Sequence, residues 1–400
     1  MKILVVCQYY YPEPFRIKDI CEEMVKRGHE VMVVTGVPNY PEGIIYRGYE
    51  KGRKRDEVIE GVKVHRCFTI PRKKGVVWRF LNYYSYAFTS KSFVKKCRAE
   101  DGSRFDVVFV NQLSPVMMAK GAIAYGRKFK VPILMYCLDL WPESLVAGGI
   151  KRESAIYRFF HRVSGRIYIK MDEILITSRM FSKYLNLEFG IPEERIKYLP
   201  QYAEGIFEQM ENKENSEGFD FMFAGNIGAM QGIDTILEAA EMLKNEYPGI
   251  RWHIVGGGTD LERLKRIAVE KKLDQVIFYG RRPLEEMPGF YKMADAMLVT
   301  LQANPILSLT LPGKVQSYMA VGKPVIGAVD GETAEVIRAA RCGFCGKAED
   351  SRALAEHVKR FMESADREAM GRNGRAFYET HFERKMFMDK LERELLTIQK

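Results

Sequence analysis

Short apolar runs of β character alternate with amphipathic helical patterns along nearly the whole chain, and this alternation narrows the possible folds more than any other feature. In the first half the runs are Lys2–Cys7, Val31–Thr35, Val62–Cys67, Val107–Asn111, Ile133–Cys137, Glu173–Thr177 and Ile196–Leu199. Helical patterns near Ile17–Arg27, Pro115–Lys128, Glu153–Lys170 and Met180–Phe189 separate most of them, and Gly28 stops the first. Short apolar strands joined through helices imply an α/β fold with a parallel, doubly wound sheet. The polar stretch Glu208–Gly218 interrupts the pattern, and a new series starts at Phe219 with strands Phe219–Ala224, Arg251–Val255, Val276–Tyr279, Ala296–Leu301 and Pro324–Gly327. At 400 residues the chain exceeds what one hydrophobic core organises. We therefore expect a domain over 1–200, a second over 201–378 and a helical, strongly charged end over 379–400 that packs back toward the first. The hinge falls near Leu199–Phe207, and a ligand is expected in the cleft between the domains, at the carboxyl ends of the strands.

Three glycine-bearing turns in the second half each follow a strand pattern and precede a helical one. They are Ala224-Gly225-Asn226-Ile227-Gly228, Val255-Gly256-Gly257-Gly258 and Leu311-Pro312-Gly313-Lys314. Glycine lets backbone N–H groups approach a phosphate, and a helix N-terminus adds partial positive charge. Together the turns suggest a socket for a nucleotide diphosphate. Every α/β domain also needs glycine at tight strand-to-helix turns, so any one of them is explained without a ligand.

The net charge of +10 is concentrated in one segment: Gly61 to Ala99 holds ten Lys or Arg residues and no Asp or Glu. Trp78, Phe80, Tyr83, Tyr84, Tyr86, Phe88 and Phe93 interleave with them. Cations with amphipathic rings suit an anionic bilayer surface, which singles out Arg72, Lys73, Lys74, Trp78, Arg79, Lys95 and Lys96 as membrane-facing. An ordinary amphipathic helix with its aromatics turned to the core, or a single-stranded nucleic acid partner, accounts for the same pattern; of these, nucleic acid is not the expected partner. No run of eighteen apolar residues occurs, and the chain opens directly on a strand, which leads us to expect a cytoplasmic protein without signal peptide or transmembrane helix. Seven cysteines scattered through strands and helices fit a reducing compartment. Cys342 and Cys345 form a lone C-x-x-C, placed at a loop and read as incidental.

The chain resembles the family-four retaining glycosyltransferases of GT-B architecture, two Rossmann-like domains around a cleft, nearly from end to end. The motifs are Gln8-Tyr9-Tyr10-Tyr11-Pro12-Glu13-Pro14, Arg27-Gly28-His29-Glu30-Val31, the two glycine turns at 224–228 and 255–258, Phe278-Tyr279-Gly280 and Tyr318-Met319-Ala320-Val321-Gly322-Lys323-Pro324-Val325-Ile326. Phe15-Arg16-Ile17-Lys18-Asp19, Gly36-Val37-Pro38-Asn39-Tyr40-Pro41 and Asp139-Leu140-Trp141-Pro142-Glu143 are similar to the subgroup that adds fucosamine-type or fucose sugars to lipid-linked precursors of bacterial surface polysaccharides. The resemblance implies a nucleotide-diphosphate sugar, most often a uridine one, as donor and a polyprenyl-diphosphate-linked saccharide as acceptor. It also implies work at the inner face of the plasma membrane. Donor contacts would come from Gly225, Asn226, Gly228, Gln231, Gly256, Gly257, Arg281, Pro312, Gly313 and Ser317.

The departures from the family pattern are specific. The family arginine and lysine that reach the diphosphate are Asn226 and Gln231 here, and the paired glutamates, one near the sugar and one near the ribose, are Leu309 and Ser317. Phe15-Arg16 replaces an N-terminal glycine pair. A leaving diphosphate still needs neutralising as its charge grows, so Arg16 and Lys314 are the candidate cations. Arg16 also suits a surface helix start, and Lys314 a first-turn lysine in solvent. Leu138 stands where the family often has histidine, leaving Asp139 to orient a sugar hydroxyl or take the acceptor proton; Glu143 is the other candidate for either task. Asp139 could instead cap a helix. No Asp-x-Asp occurs and no histidine pairs with a metal ligand, so the expectation is metal-independent transfer without a cofactor. His29 and His253 are read as structural. A sugar-nucleotide epimerase and a non-catalytic nucleotide-sugar-binding scaffold remain open.

Overall fold

A computed structural model describes residues 1–73, 75–147, 149–207 and 218–399. Lys74 and most of the polar stretch after residue 207 lie outside the described residues. The chain forms two compact units, Met1–Leu199 with Met388–Lys400, and Pro200–Phe387.

In the first unit the strands are β1 (Lys2–Val6), β2 (Glu30–Gly36), β3 (Asp56–Ile59), β4 (Val62–Cys67), β5 (Val107–Gln112), β6 (Ile133–Cys137), β7 (Glu173–Ile176) and β8 (Ile196–Tyr198). They lie in the order β3-β4-β2-β1-β5-β6-β7-β8. All pairs are parallel except β3 with β4. That hairpin turns on Glu60 and Gly61, whose φ values of 47° and 81° suit the tight turn joining twisted strands. The helices are α1 (Ile17–Lys26), α2 (Val76–Val94), α3 (Lys120–Phe129), α4 (Glu143–Ala147), α5 (Ala155–Tyr168) and α6 (Met180–Phe189). α1 shows why such segments are helical: Ile17, Ile20, Cys21 and Met24 fall on one stripe and are buried, while Lys18, Glu22 and Glu23 face outward.

The second unit contains β9 (Phe219–Ala224), β10 (Ile250–Val255), β11 (Val276–Gly280), β12 (Ala296–Thr300), β13 (Val325–Ala328) and β14 (Gly343–Gly346), in the wholly parallel order β11-β10-β9-β12-β13-β14. Its helices are α7 (Asp234–Leu243), α8 (Leu261–Glu270), α9 (Met287–Met293), α10 (Gly313–Ala320), α11 (Gly331–Ala340), α12 (Ser351–Glu363) and α13 (Arg367–His381); a last helix, α14, runs Arg384–Gln399. One apolar cluster holds Met222, Met297 and Val299 with Tyr318 and Met319; another holds Phe221, Phe223 and Ile254 with Ile236 and Leu264. Alternate residues of β9 thus feed opposite faces, as a sheet covered on both sides requires. Both units are parallel-sheet, Rossmann-like α/β folds.

Two expectations need correction. A boundary at 378/379 would cut α13, whose Tyr378 belongs with Phe382 to the apolar cluster of the second unit; the segment grouped with the first unit begins at Met388. Cys345 is in β14 rather than a loop, with Cys342 buried just before it, and both thiols are free. β3 escaped notice because it is short, charged at its start and half solvated.

Candidate functional site

In open parallel sheets the point where strand order reverses leaves a crevice at the carboxyl ends of the strands. In the second unit this lies between β9 and β12, and the loops after those strands touch: Thr300 Oγ1 donates to the Gln231 carbonyl at 2.6 Å and Gln302 N to the Met230 carbonyl at 3.0 Å. The structure brings the expected donor residues of this unit together there through a chain of close contacts.

The glycines do a different task from the expected one. Gly225 N donates to Val255 O, Ile227 N to Gly257 O and Gly256 N to Gly280 O, each at 2.9 Å. A Cβ on Gly256 would lie 1.8 Å from Gly225 O, and one on Gly258 2.1 Å from Ile227 O. Neighbouring loops therefore stack backbone on backbone, and the amides of Gly225 and Gly256 are taken up by carbonyls rather than presented to a phosphate. Those two amides are therefore not available to a phosphate in the first two turns. Gly257 backs onto Arg281, Gly228 lies beside the Asn226 amide, and Asn226 and Arg281 are exposed.

The third turn supplies the charge. Pro312 caps α10, Gly313 opens it, and Lys314 runs in beside Gly225, where a Cβ would stand 3.0 Å from its Nζ. Nζ donates to Gln231 Oε1 at 2.7 Å and sits 3.8 Å from the centre of the Phe223 ring. No carboxylate among the described residues pairs with it, and burial brings the amine down to about 7. Lys314 is thus not the solvent-facing first-turn lysine allowed by its sequence position. The buried Ser317 hydroxyl donates to Gly313 O and lies 3.3 Å from Glu204 Oε2. The sequence showed no reason to pick Glu204, which precedes the unit's first strand; only folding sets it against α10.

In the first unit the aromatic residues after β1 and β2 form a cluster, with Phe15 5.2 Å from Tyr9 and 5.3 Å from Tyr40. Beneath it the buried Glu13 accepts N–H bonds from Tyr10, Asn39 and Tyr40, and burial nevertheless pushes its carboxyl up to about 7. Glu13 is another residue the sequence reading missed as a loop organiser. Arg16 precedes α1, half-buried, and its charge acts on Tyr136 at the end of β6. Asp139 Oδ2 accepts from Ser114 N at 3.2 Å, tying the loop after β6 to that after β5, and burial raises its carboxyl. It caps no helix, since α4 begins at Glu143.

Glu143 is corrected. It is 0% exposed, and its Oε1 receives the hydroxyls of Tyr157 and Tyr184 and the Arg152 guanidinium, each at 2.7 Å. A carboxylate so enclosed organises α4, α5 and α6 and does not meet an acceptor hydroxyl. Arg72 is also corrected: its amide donates to Asn39 Oδ1 and its guanidinium is half-buried over Tyr40, so it braces the loop cluster instead of facing a membrane.

α2 turns Asn82, Tyr86, Ser90 and Val94 inward, with Tyr86 Oη donating to Val34 O and Asn82 bridging Gln8 and the Ile70 carbonyl. Trp78 (41%), Phe80 (45%) and Phe88 (60%) are exposed. The alternative in which the aromatics serve only the core fails for these three. Arg79, Lys95 and Lys96 are exposed too, and Lys73 lies over Trp78 at 4.7 Å. No described helix is long and apolar enough to cross a membrane. His29 and His253 are held by Glu392 and by Asp220 with Tyr279, as structural residues would be.

Two family models match this chain, "Glycosyl transferase 4-like domain" over residues 15–201 and "Glycosyl transferases group 1" over 206–377. It is 27% identical over 316 residues to "Probable glycosyltransferase WbjE" of Pseudomonas aeruginosa, covering 74% of this chain and 76% of that one. To "Putative colanic acid biosynthesis glycosyl transferase WcaI" of Escherichia coli K12 it is 28% identical over 344 residues, covering 80% and 82%. The crystal structure of Anabaena Alr3699/HepE in complex with UDP has the same fold, with a TM-score of 0.73 at 13% identity over 99% of this chain and 100% of that one.

Proposed function

Because the chain belongs with the group 1 glycosyltransferases of GT-B fold, we propose that it moves a fucosamine-, fucose- or N-acetylhexosamine-type sugar from a uridine-diphosphate donor to a lipid-linked saccharide. The transfer retains configuration and needs no metal ion. The observation that carries this reading is the half-buried Lys314 ammonium, stacked on Phe223 and held by Gln231, without a carboxylate partner among the described residues. It stands beside Gln231, where the family lysine is absent. Glu204 likewise stands beside Ser317, where a family glutamate is absent. In both places a charge lost from the chain order returns in space. A diphosphate at the start of α10 meets a cation and a helix N-terminus, which together favour the extra charge of a departing nucleotide. Glu204 is assigned to the ribose hydroxyls, with Asn226 and Arg281 at the rim.

The acceptor side is assigned to the first unit. Arg16 neutralises the diphosphate charge from its loop, and Asp139 orients a sugar hydroxyl. The departing phosphate takes the proton in same-face attack. Exposed aromatic and basic residues of α2 contact the bilayer that carries the acceptor lipid. The test is turnover by a protein carrying both R16A and K314A, with thermal shift by uridine diphosphate. Lost turnover and lost shift with a melt that stays cooperative are expected; native turnover would remove this account of the donor. Saturating EDTA should leave the rate unchanged, and a rate restored only by magnesium would reject the metal-free mechanism.

A further inference from the structure

α2, α3 and α5 of the first unit enclose a groove of about 810 Å³ whose lining contains no acidic residue. α2 contributes Lys91 to one wall, with Lys95 at its C-terminal end, and α3 contributes Lys120, Arg127 and Lys128 to another. Arg166 and Lys170 close it from α5 and the turn that follows. The floor is apolar, built from Phe88, Ile123, Val163 and Ile167.

Two of the seven cations are held in place. Lys120 is half-buried, stacked 4.6 Å from the Tyr84 ring and 5.7 Å from Phe88, and both burial and the neighbouring Lys91 work against its charge. Lys128 Nζ donates to the Lys95 carbonyl at 2.7 Å, locking α3 to the end of α2. Asp172 lines the adjoining hollow, where its Oδ2 accepts from Ile133 N at 2.8 Å. Like charges crowded over apolar side chains, with no carboxylate paired to them among the described residues, form a site whose repulsion an incoming anion relieves. Phe88 and Lys91 also continue a stripe on α2 that starts at the exposed Val77 and Leu81, so the groove opens onto the apolar side of that helix.

We propose that this groove binds an anionic membrane phospholipid, its phosphate among Lys91, Lys120 and Arg166 and the start of its acyl chains on the Phe88–Ile167 floor. The inference rests on the reading of a lipid-linked acceptor, and it adds a lipid partner distinct from that acceptor. An apolar floor favours a lipid over a soluble polyanion, which needs only the cations. The occupant chosen is a bilayer glycerophospholipid, since the α2 stripe joins the groove to the surface assigned to membrane contact.

The full-length protein should co-sediment with vesicles of phosphatidylcholine plus phosphatidylglycerol and not with phosphatidylcholine alone. K120E/R166E should weaken that binding at least roughly tenfold, and F88S should weaken it while leaving the charge intact. Both variants should keep the wild-type melting temperature and thermal shift by uridine diphosphate, which separates loss of the groove from loss of fold or donor site. Vesicle binding by either variant equal to wild type overturns the proposal. So does equal protection of the groove lysines from acetylation by glycerol phosphate or a single-stranded oligonucleotide and by the vesicles, which would mark a general polyanion surface. Transfer to a short-chain, water-soluble acceptor without vesicles tests the transferase reading separately. Its absence alongside normal vesicle binding would sink that reading and leave the lipid site standing.

Discussion

Lys314 shows how one side chain couples fold stability to ligand binding. Its amine is lowered to about 7 by burial, against 10.5 in an unfolded chain. Between those values the unfolded state binds the extra proton, so stability rises with pH from about 7 upward, and below about 7 the folded protein carries the full cost of a buried charge. K314M keeps the contact with Phe223 and removes that cost, so it should melt higher than wild type at pH 6 and lose the advantage near pH 10. The same variant should bind uridine diphosphate more weakly by on the order of 1.5–3 kcal/mol, the contribution of a hydrogen bond to a charged group. Calorimetry in two buffers of different ionisation enthalpy should show proton uptake when the nucleotide binds above pH 7. A buffer-independent heat would mean that Lys314 does not face the diphosphate. E204Q tests the other relocated charge: a raised donor KM with little change in kcat is expected from a residue that holds the ribose, and an unchanged KM would exclude it.

At the scale of elements, the hub at Glu143 joins three helices through one oxygen. Replacing it with alanine leaves the hydroxyls of Tyr157 and Tyr184 buried without their acceptor, and a loss of about 1–3 kcal/mol in urea unfolding is expected. A variant that retains stability and loses only turnover would return Glu143 to the catalytic set. The loops after β9 and β10 have a comparable dependence on glycine. G256A combines a φ of +147° with a Cβ 1.8 Å from the Gly225 carbonyl, so both loops must separate. We expect a lower melting temperature together with lost uridine diphosphate binding, because the same loops position Lys314 and Arg281.

At the scale of the whole molecule, the chain's last residues belong to its first unit. Met388, Leu391 and Leu395 are buried, Arg27 pairs with Asp389 and Glu392, and Lys197 bridges Glu173 and Glu394. A protein ending at Phe387 loses this apolar surface and leaves Arg27 with Glu23 alone and Lys197 with Glu173 alone. Burial of each large aliphatic side chain contributes about 1.5–3 kcal/mol, so a fall in melting temperature of about 10 °C or more is expected by calorimetry. Faster hydrogen exchange at the start of β2 and in β8 should accompany it, and an unchanged melt would show the segment to be dispensable.

Most of the strands of both units, several of the helices between them and the sites of loop glycines follow from local patterns, because side-chain periodicity and backbone freedom act over a few residues; the order of the strands in each sheet does not. The concentration of positive charge between Gly61 and Ala99 is equally plain in the chain order. What each residue meets was decided by the tertiary structure. Lys314 finds Phe223 and Gln231 from ninety-one and eighty-three positions away, Glu204 finds Ser317, and the cations of the groove converge from three segments between Lys91 and Lys170. Glu143 and Arg72 went the other way, drawn into packing that their sequence neighbourhoods did not signal. Burial and electrostatic environment depend on distances through space, and those are set only when strands far apart in the chain become neighbours in a sheet.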